Sequence, residues 1–149
     1  MEPRVVIDTN VVISAAINPK GKPGKIIDMI MNGEIVSYTS QEILEELGFK
    51  LLSEKVLKYI GDASIALDLL LSFSTMSIIV EPKVHFNVSP DTDDNKFFDV
   101  VYEAKADYLI SGNIRDIINL RNKDREFKLG THKFKILTPK EFIEDFPTI

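Results

Sequence analysis

Arg4-Val5-Val6-Ile7-Asp8-Thr9-Asn10-Val11-Val12-Ile13-Ser14 is the stretch whose reading decides the fold. Val5, Val6 and Ile7 form an unbroken apolar run with no polar residue alternating, the pattern of a strand buried on both faces of a parallel sheet. The run ends on an acid. From Val11 to Ile17 the chain reads as a helix, closed by the breaker segment Asn18-Pro19-Lys20-Gly21-Lys22-Pro23-Gly24.

Working outward, the same alternation of short apolar strands and amphipathic helices recurs. A helix is expected from Lys25 to Asn32 with Gly33 as its C-cap, and a strand from Ile35 to Tyr38. Ser40 caps the next helix, whose buried stripe is Ile43, Leu44 and Leu47. Helical segments follow over Ser53 to Ile60 and Asp62 to Met76, then a strand over Ser77 to Val80 and a loop over Pro82 to Pro90. Asp91 to Asp94 open a helix carrying Phe97, Phe98, Val101 and Ala104, with acids crowded at its positive end. Tyr108 to Ser111 is a strand, Gly112-Asn113 a turn and Ile114 to Leu120 a short helix. Phe134 to Leu137 is the last strand, and Thr138-Pro139 start a final helix with Phe142, Ile143 and Phe146 inward. Strands separated by helices imply right-handed crossovers, hence an α/β fold: a central parallel sheet between two helix layers, formed by residues 1–149 as one domain.

Composition narrows the function. The 149 residues include no cysteine, which excludes disulfides, thiolate zinc sites and cysteine nucleophiles, and a cytoplasmic address fits best. The N-terminus reaches Asp8 before a signal-length apolar segment forms, and no run approaches the roughly 20 residues that span a bilayer. A formal net charge of −5 argues against holding nucleic acid by a broad basic face; cations must help if nucleic acid is the partner. Gly21-Lys22-Pro23-Gly24-Lys25 is followed by Ile26, with no Ser or Thr and glycines too close together for a phosphate loop, so it reads as a flexible loop. The two histidines, His85 and His132, lack ligand-spaced partners and are read as surface residues.

The acids are where chemistry concentrates. In an open parallel sheet, sites form beyond the carboxyl ends of strands, where crossovers diverge. Asp8 ends the first strand, Glu45 and Glu46 ride the helix after the second, Asp91, Asp93 and Asp94 start the helix after the third, and Asp116 lies past the fourth. Taken singly, each is an ordinary cap or solvated residue. Together they matter, because two carboxylates about 4 Å apart repel by roughly 4 kcal/mol at an effective dielectric near 20. A rim of four demands cations, and hard oxygen donors suit magnesium or manganese.

These residues resemble a known family. The stretch Val5 to Ser14 looks like the opening of PIN domains, in which a strand delivers the first metal-binding aspartate. Ser40-Gln41-Glu42-Ile43-Leu44-Glu45-Glu46-Leu47 resembles the second element, with Glu46 the best match over Glu42 and Glu45 because it directly precedes the leucine. Asp93-Asp94-Asn95-Lys96-Phe97 resembles the third, and Ala106 to Asn113 the fourth. Ile136 to Phe142 is similar to the end of the toxin branch of the family. One departure stands out: Asn113 occupies the place where many members have an aspartate, with Asp116 three residues on to supply the charge.

The resemblance implies a magnesium- or manganese-dependent endoribonuclease that hydrolyses phosphodiester bonds in single-stranded RNA. Asp8, Glu46, Asp94 and Asp116 would be its catalytic acids, with Asp8, Asp94 and Asp116 on the metal. Thr9, Asn10, Ser111, Asn113 and Arg115 would orient ligands or the scissile phosphate. Lys20, Lys22 and Lys25, and the cluster Arg115, Arg121, Lys123, Arg125 and Lys128, are candidates for phosphate contacts. The family also implies a toxin role with an antitoxin partner and a homodimer. The rival reading is a PIN-like binding or scaffold module that holds metal or a protein partner without efficient cleavage, which Asn113 favours.

Overall fold

The computed structural model describes residues 1–146. The opening strand is β1 (Arg4–Ile7), and Asp8 directly caps helix α1 (Thr9–Ile17), its carboxylate accepting the Asn10 amide. Helix α2 (Lys22–Met31) starts three residues earlier than the breaker reading expects. Pro23 sits in the first turn, where its missing N–H removes no hydrogen bond. Gly24 is buried there because a Cβ would lie 2.0 Å from the Pro19 carbonyl oxygen, so this segment is a packed corner and not a flexible loop.

Strand β2 (Val36–Thr39) leads into α3 (Gln41–Leu51), capped by the Ser40 hydroxyl accepting from the Ile43 amide. Helices α4 (Glu54–Ile60) and α5 (Ala63–Met76) follow, each with a capping side chain, Ser53 and Asp62. Strand β3 is only Ile78–Ile79. A 3-10 turn over Thr92–Asp94 feeds α6 (Asn95–Ala104), and β4 (Tyr108–Ile110) comes next. The helix expected from Ile114 to Leu120 is instead a series of turns ending in a 3-10 turn, Ile118–Leu120. Asp116, Ile117 and Ile118 are all buried, and the Asn113 side-chain oxygen takes the Asp116 amide while the Asn113 carbonyl takes the Ile117 and Ile118 amides, a turn pattern in place of a continuous helical ladder.

A strand absent from the sequence reading, β5 (Glu126–Leu129), pairs antiparallel with β6 (His132–Leu137) before α7 (Pro139–Asp145). The sheet is therefore six-stranded and mostly parallel, with one antiparallel edge, in the order β3-β2-β1-β4-β6-β5. Val5, Ile7, Ile110 and Leu137 face α1, α2, α5 and α7; Val6, Leu109 and Ile136 face Phe97, Phe98, Val100 and Val101 of α6. Each such fully buried side chain contributes roughly 1.5–3 kcal/mol. The result is an α/β/α sandwich.

His85 is exposed as expected, but His132 is half-buried: its ring stacks on Phe134 and Nε2 donates to the Ala106 carbonyl at 2.7 Å. The topology places the site. From β1 the chain moves outward through β2 to β3, then returns to the other flank of β1 as β4, so the crossovers part at the carboxyl ends of β1 and β4. No helix among the described residues is long and apolar enough to cross a membrane.

Candidate active site

Asp8 lies at that parting and is 2% exposed. Its Oδ2 accepts the Ser111 hydroxyl at 2.7 Å from the end of β4, and Oδ1 accepts the Asn10 amide at 3.2 Å. Burial raises its pKa above the ordinary carboxylate value despite these hydrogen bonds. A charged group kept dry at the mouth of a sheet needs a partner.

The partners gather from two further segments. Asp91 and Asp94 belong to the 3-10 turn before α6, and Asp116 to the turns after β4; one oxygen from each lies within 4.8 Å of the others. Their placement follows from local chemistry. Asn95 Oδ1 accepts the amides of Val88 and Ser89, and the Ser89 hydroxyl donates to the Asp116 carbonyl at 2.9 Å, lashing the two loops together. Burial, and then the charges of Asp8, Asp91 and Asp116, push the Asp94 pKa up to about 6. Asp93 is exposed like Asp91 but lies outside the cluster.

Asn113 stands between two of these acids. Its Nδ2 donates to Asp94 Oδ2 at 3.1 Å and lies 3.5 Å from Asp116 Oδ2, while its Oδ1 accepts the Asp116 amide. Its own amide donates to Ser111 Oγ at 3.0 Å. Arg115 Nε is 3.4 Å from Asp116 Oδ1, but its side chain is 88% exposed and screens little of the cluster's charge.

Glu46 is placed differently. Its Oε1 accepts the Thr9 hydroxyl at 2.6 Å, the hydroxyl lying 3.5 Å from Asp8 Oδ1, while Oε2 sits 2.6 Å from the buried Lys96 ammonium. Lys50 adds a longer contact of 3.5 Å. Burial raises the Glu46 pKa, but hydrogen bonds from Lys96 and Thr9 and the two ammonium charges outweigh it, leaving the carboxyl below its ordinary value. Glu46 therefore already has its cation. Glu42 and Glu45, its rivals on α3, are both exposed.

Lys96 is the residue sequence reasoning overlooked: a lysine beside an aspartate pair reads as surface, yet it is 7% exposed. Asp91, placed among the rim acids but not among the expected metal holders, belongs to the carboxylate group by proximity. Of the basic candidates, Lys20, Lys22, Lys25, Lys123 and Lys128 are exposed. Arg121 is committed to Glu141 at 2.7 and 3.1 Å and to the Ile136 carbonyl, and Arg125 reaches the same carboxylate at 3.3 Å. Those two hold α7 to the β5–β6 hairpin and are not free for phosphate.

The family model for the PIN domain matches residues 4–115, a span holding Asp8, Thr9, Asn10, Glu46, Asp91, Asp94, Lys96, Ser111, Asn113 and Arg115, with Asp116 one position beyond it. The chain is also 52% identical over 143 residues to a protein of Methanocaldococcus jannaschii that bears only the name uncharacterized protein, covering 96% of this chain and 91% of that one.

Proposed function

Because this chain belongs to the PIN domain family, whose members are generally nucleases, we propose that it is a magnesium- or manganese-dependent endoribonuclease hydrolysing phosphodiester bonds of single-stranded RNA. The observation that carries the reading is the meeting of Asp91, Asp94 and Asp116 within 4.8 Å beside the buried Asp8, where the one ion pair to any of the four among the described residues comes from the exposed Arg115. The donor set suits a hard divalent ion: carboxylate oxygens, with no sulfur or imidazole at the notch.

Asp8, Asp94 and Asp116 would hold the ion, with Asp91 joining from the 3-10 turn. Such an ion supplies Lewis-acid polarisation of the phosphate and a bound water of lowered pKa. The chain's own residues supply the geometry. Ser111 and the Asn10 amide fix the Asp8 carboxylate from both sides. Glu46 acts as a positioning residue, holding Thr9 against Asp8 while Lys96 balances its charge. Asn113 spaces Asp94 from Asp116, and the exposed Arg115 side chain can reach a phosphate oxygen.

Cleavage of a single-stranded RNA in manganese is the test. Asp8→Asn and Asp94→Asn should each lose about a hundredfold or more of the rate, as removal of a metal-ion ligand implies. Wild-type rates in both variants would remove the nuclease reading. The second reading, a binding or scaffold module, draws on Asn113, whose amide already bridges Asp94 and Asp116 without added charge. It would be sustained by metal binding without cleavage.

A cytoplasmic toxin with an antitoxin partner, working as a homodimer, is the finer form of the proposal. The homodimer within it draws on the apolar surface of α3 to α5, where Phe49 is 84% exposed and Tyr59, Leu67 and Leu71 also face outward.

A further inference from the structure

Beyond the carboxyl ends of β2 and β3 lies a cleft of about 540 Å³ that no catalytic role accounts for. It is within the roughly 300–1,000 Å³ typical of small-ligand sites. Lys96 forms part of its wall and contacts Glu46, which accepts the Thr9 hydroxyl beside Asp8, so the cleft adjoins the carboxylate notch through these side chains. A strand of RNA with one phosphate at the notch would pass its neighbouring nucleotide over this opening.

The lining says what part of that nucleotide fits. Ile79, Val80 and Pro82 offer an apolar wall for the face of a ring. Glu42 and Gln41 stand opposite in the first turn of α3, and neither side chain is hydrogen-bonded to another described residue. Both basic side chains present are already engaged: Lys96 by Glu46, and His85 through Nδ1 by the buried Asp99 at 2.9 Å. Uncompensated carboxylates repel a phosphate. They accept hydrogen bonds from a base edge, as glutamate does from the amino group of cytosine and glutamine from that of adenine.

We infer that this cleft is a nucleobase subsite, selecting adenine, cytosine or guanine over uracil because the first three present an exocyclic amino group to its acceptors, whereas uracil's one base-edge donor, N3–H, is flanked by two carbonyl oxygens that a carboxylate repels. The inference rests on the proposed reading that RNA is the substrate. Single-stranded recognition by splayed bases on apolar and polar surfaces is the general mode for RNA.

The test measures binding of labelled oligoadenylate, oligocytidylate and oligouridylate in magnesium by fluorescence anisotropy, using the Asp8→Asn protein so that the strands stay intact. Oligoadenylate and oligocytidylate should bind about fivefold tighter than oligouridylate, the worth of one net hydrogen bond. Adding Gln41→Ala and Glu42→Ala, both at exposed positions, should level the three affinities with the melting temperature unchanged. Equal affinities before those substitutions, or a preference that survives them, overturns the subsite even if wild-type protein cuts RNA. A preference lost in the variant while wild-type protein cuts nothing upholds the subsite and overturns the nuclease reading. No binding of any strand overturns both.

Discussion

Asp94 concentrates the electrostatic problem of this molecule, since burial and three neighbouring carboxylates push its pKa up to about 6 from an ordinary 3.8. Between those values the folded chain keeps a proton that the unfolded chain has lost, so without metal the folded state loses stability as pH rises through that window. Asp8 is shifted in the same direction, mainly by burial. In chelator, the melting temperature should therefore fall between about pH 4 and pH 6, and Asp94→Asn should flatten much of that fall. Manganese should restore the loss at pH 7, since a bound ion replaces the proton. A wild-type melting temperature indifferent to both pH and manganese would contradict the reading. At this scale the sequence was partly legible: strand ends and helix starts listed the acids Asp8, Asp91, Asp93, Asp94 and Asp116, and only the resemblance to PIN domains singled out Asp94 from its neighbours. Lys96 could not be named, because nothing in Asp94-Asn95-Lys96 distinguishes a buried ammonium from a solvated one; its burial depends on α3 presenting Glu46 to it.

At the scale of elements, two joints hold the strand ends where the site needs them. The first is Glu141, which closes the capping box of α7 with Thr138 and receives both Arg121 nitrogens. The Arg121 hydrogen bond leads the causes that hold its pKa down at about 2, against burial, from an ordinary 4.5. A depressed folded-state value means the stabilisation is present above pH 4.5 and is lost as pH falls toward 2. Glu141→Gln should cost about 2 kcal/mol at pH 7, the worth of a charged hydrogen bond, with the difference vanishing in acid. Urea unfolding at both pH values reads it. The second joint is Gly24, where a side chain would drive into the Pro19 backbone; Gly24→Ala should destabilise by about 1–3 kcal/mol. Unchanged stability there would mean that the corner yields. The breaker residues announced an interruption read as a flexible loop, but not that Pro23 and Gly24 lie inside a helix, because helical backbone at Gly24 is accompanied by the close approach of Pro19, which a Cβ would forbid.

For the whole molecule, the net charge of −5 and the carboxylate notch oppose RNA until cations enter, so binding should weaken sharply in chelator while monovalent salt is held constant. The proposed dimer would bury the apolar face of α3 to α5. Sedimentation should then show a dimer for the wild-type chain and a monomer for Phe49→Glu with Leu71→Asp, whereas a wild-type monomer at high concentration sinks the dimer. The residue pattern by itself determined that the chain is α/β with parallel strands and that acids sit at strand ends, because burial on both faces leaves an unbroken apolar run wherever a covered strand must go. The antiparallel β5–β6 edge went unread although Glu126-Phe127-Lys128-Leu129 alternates polar and apolar, because four residues are too short a run to claim as a strand without the partner, β6, that is itself anchored to β4. Nor could the residue pattern say that Glu46 has its own ammonium while Asp91 joins Asp94 and Asp116. Those outcomes depend on distances between segments far apart along the chain, and electrostatic energy at short range is decided by such distances, which only the packed layers set.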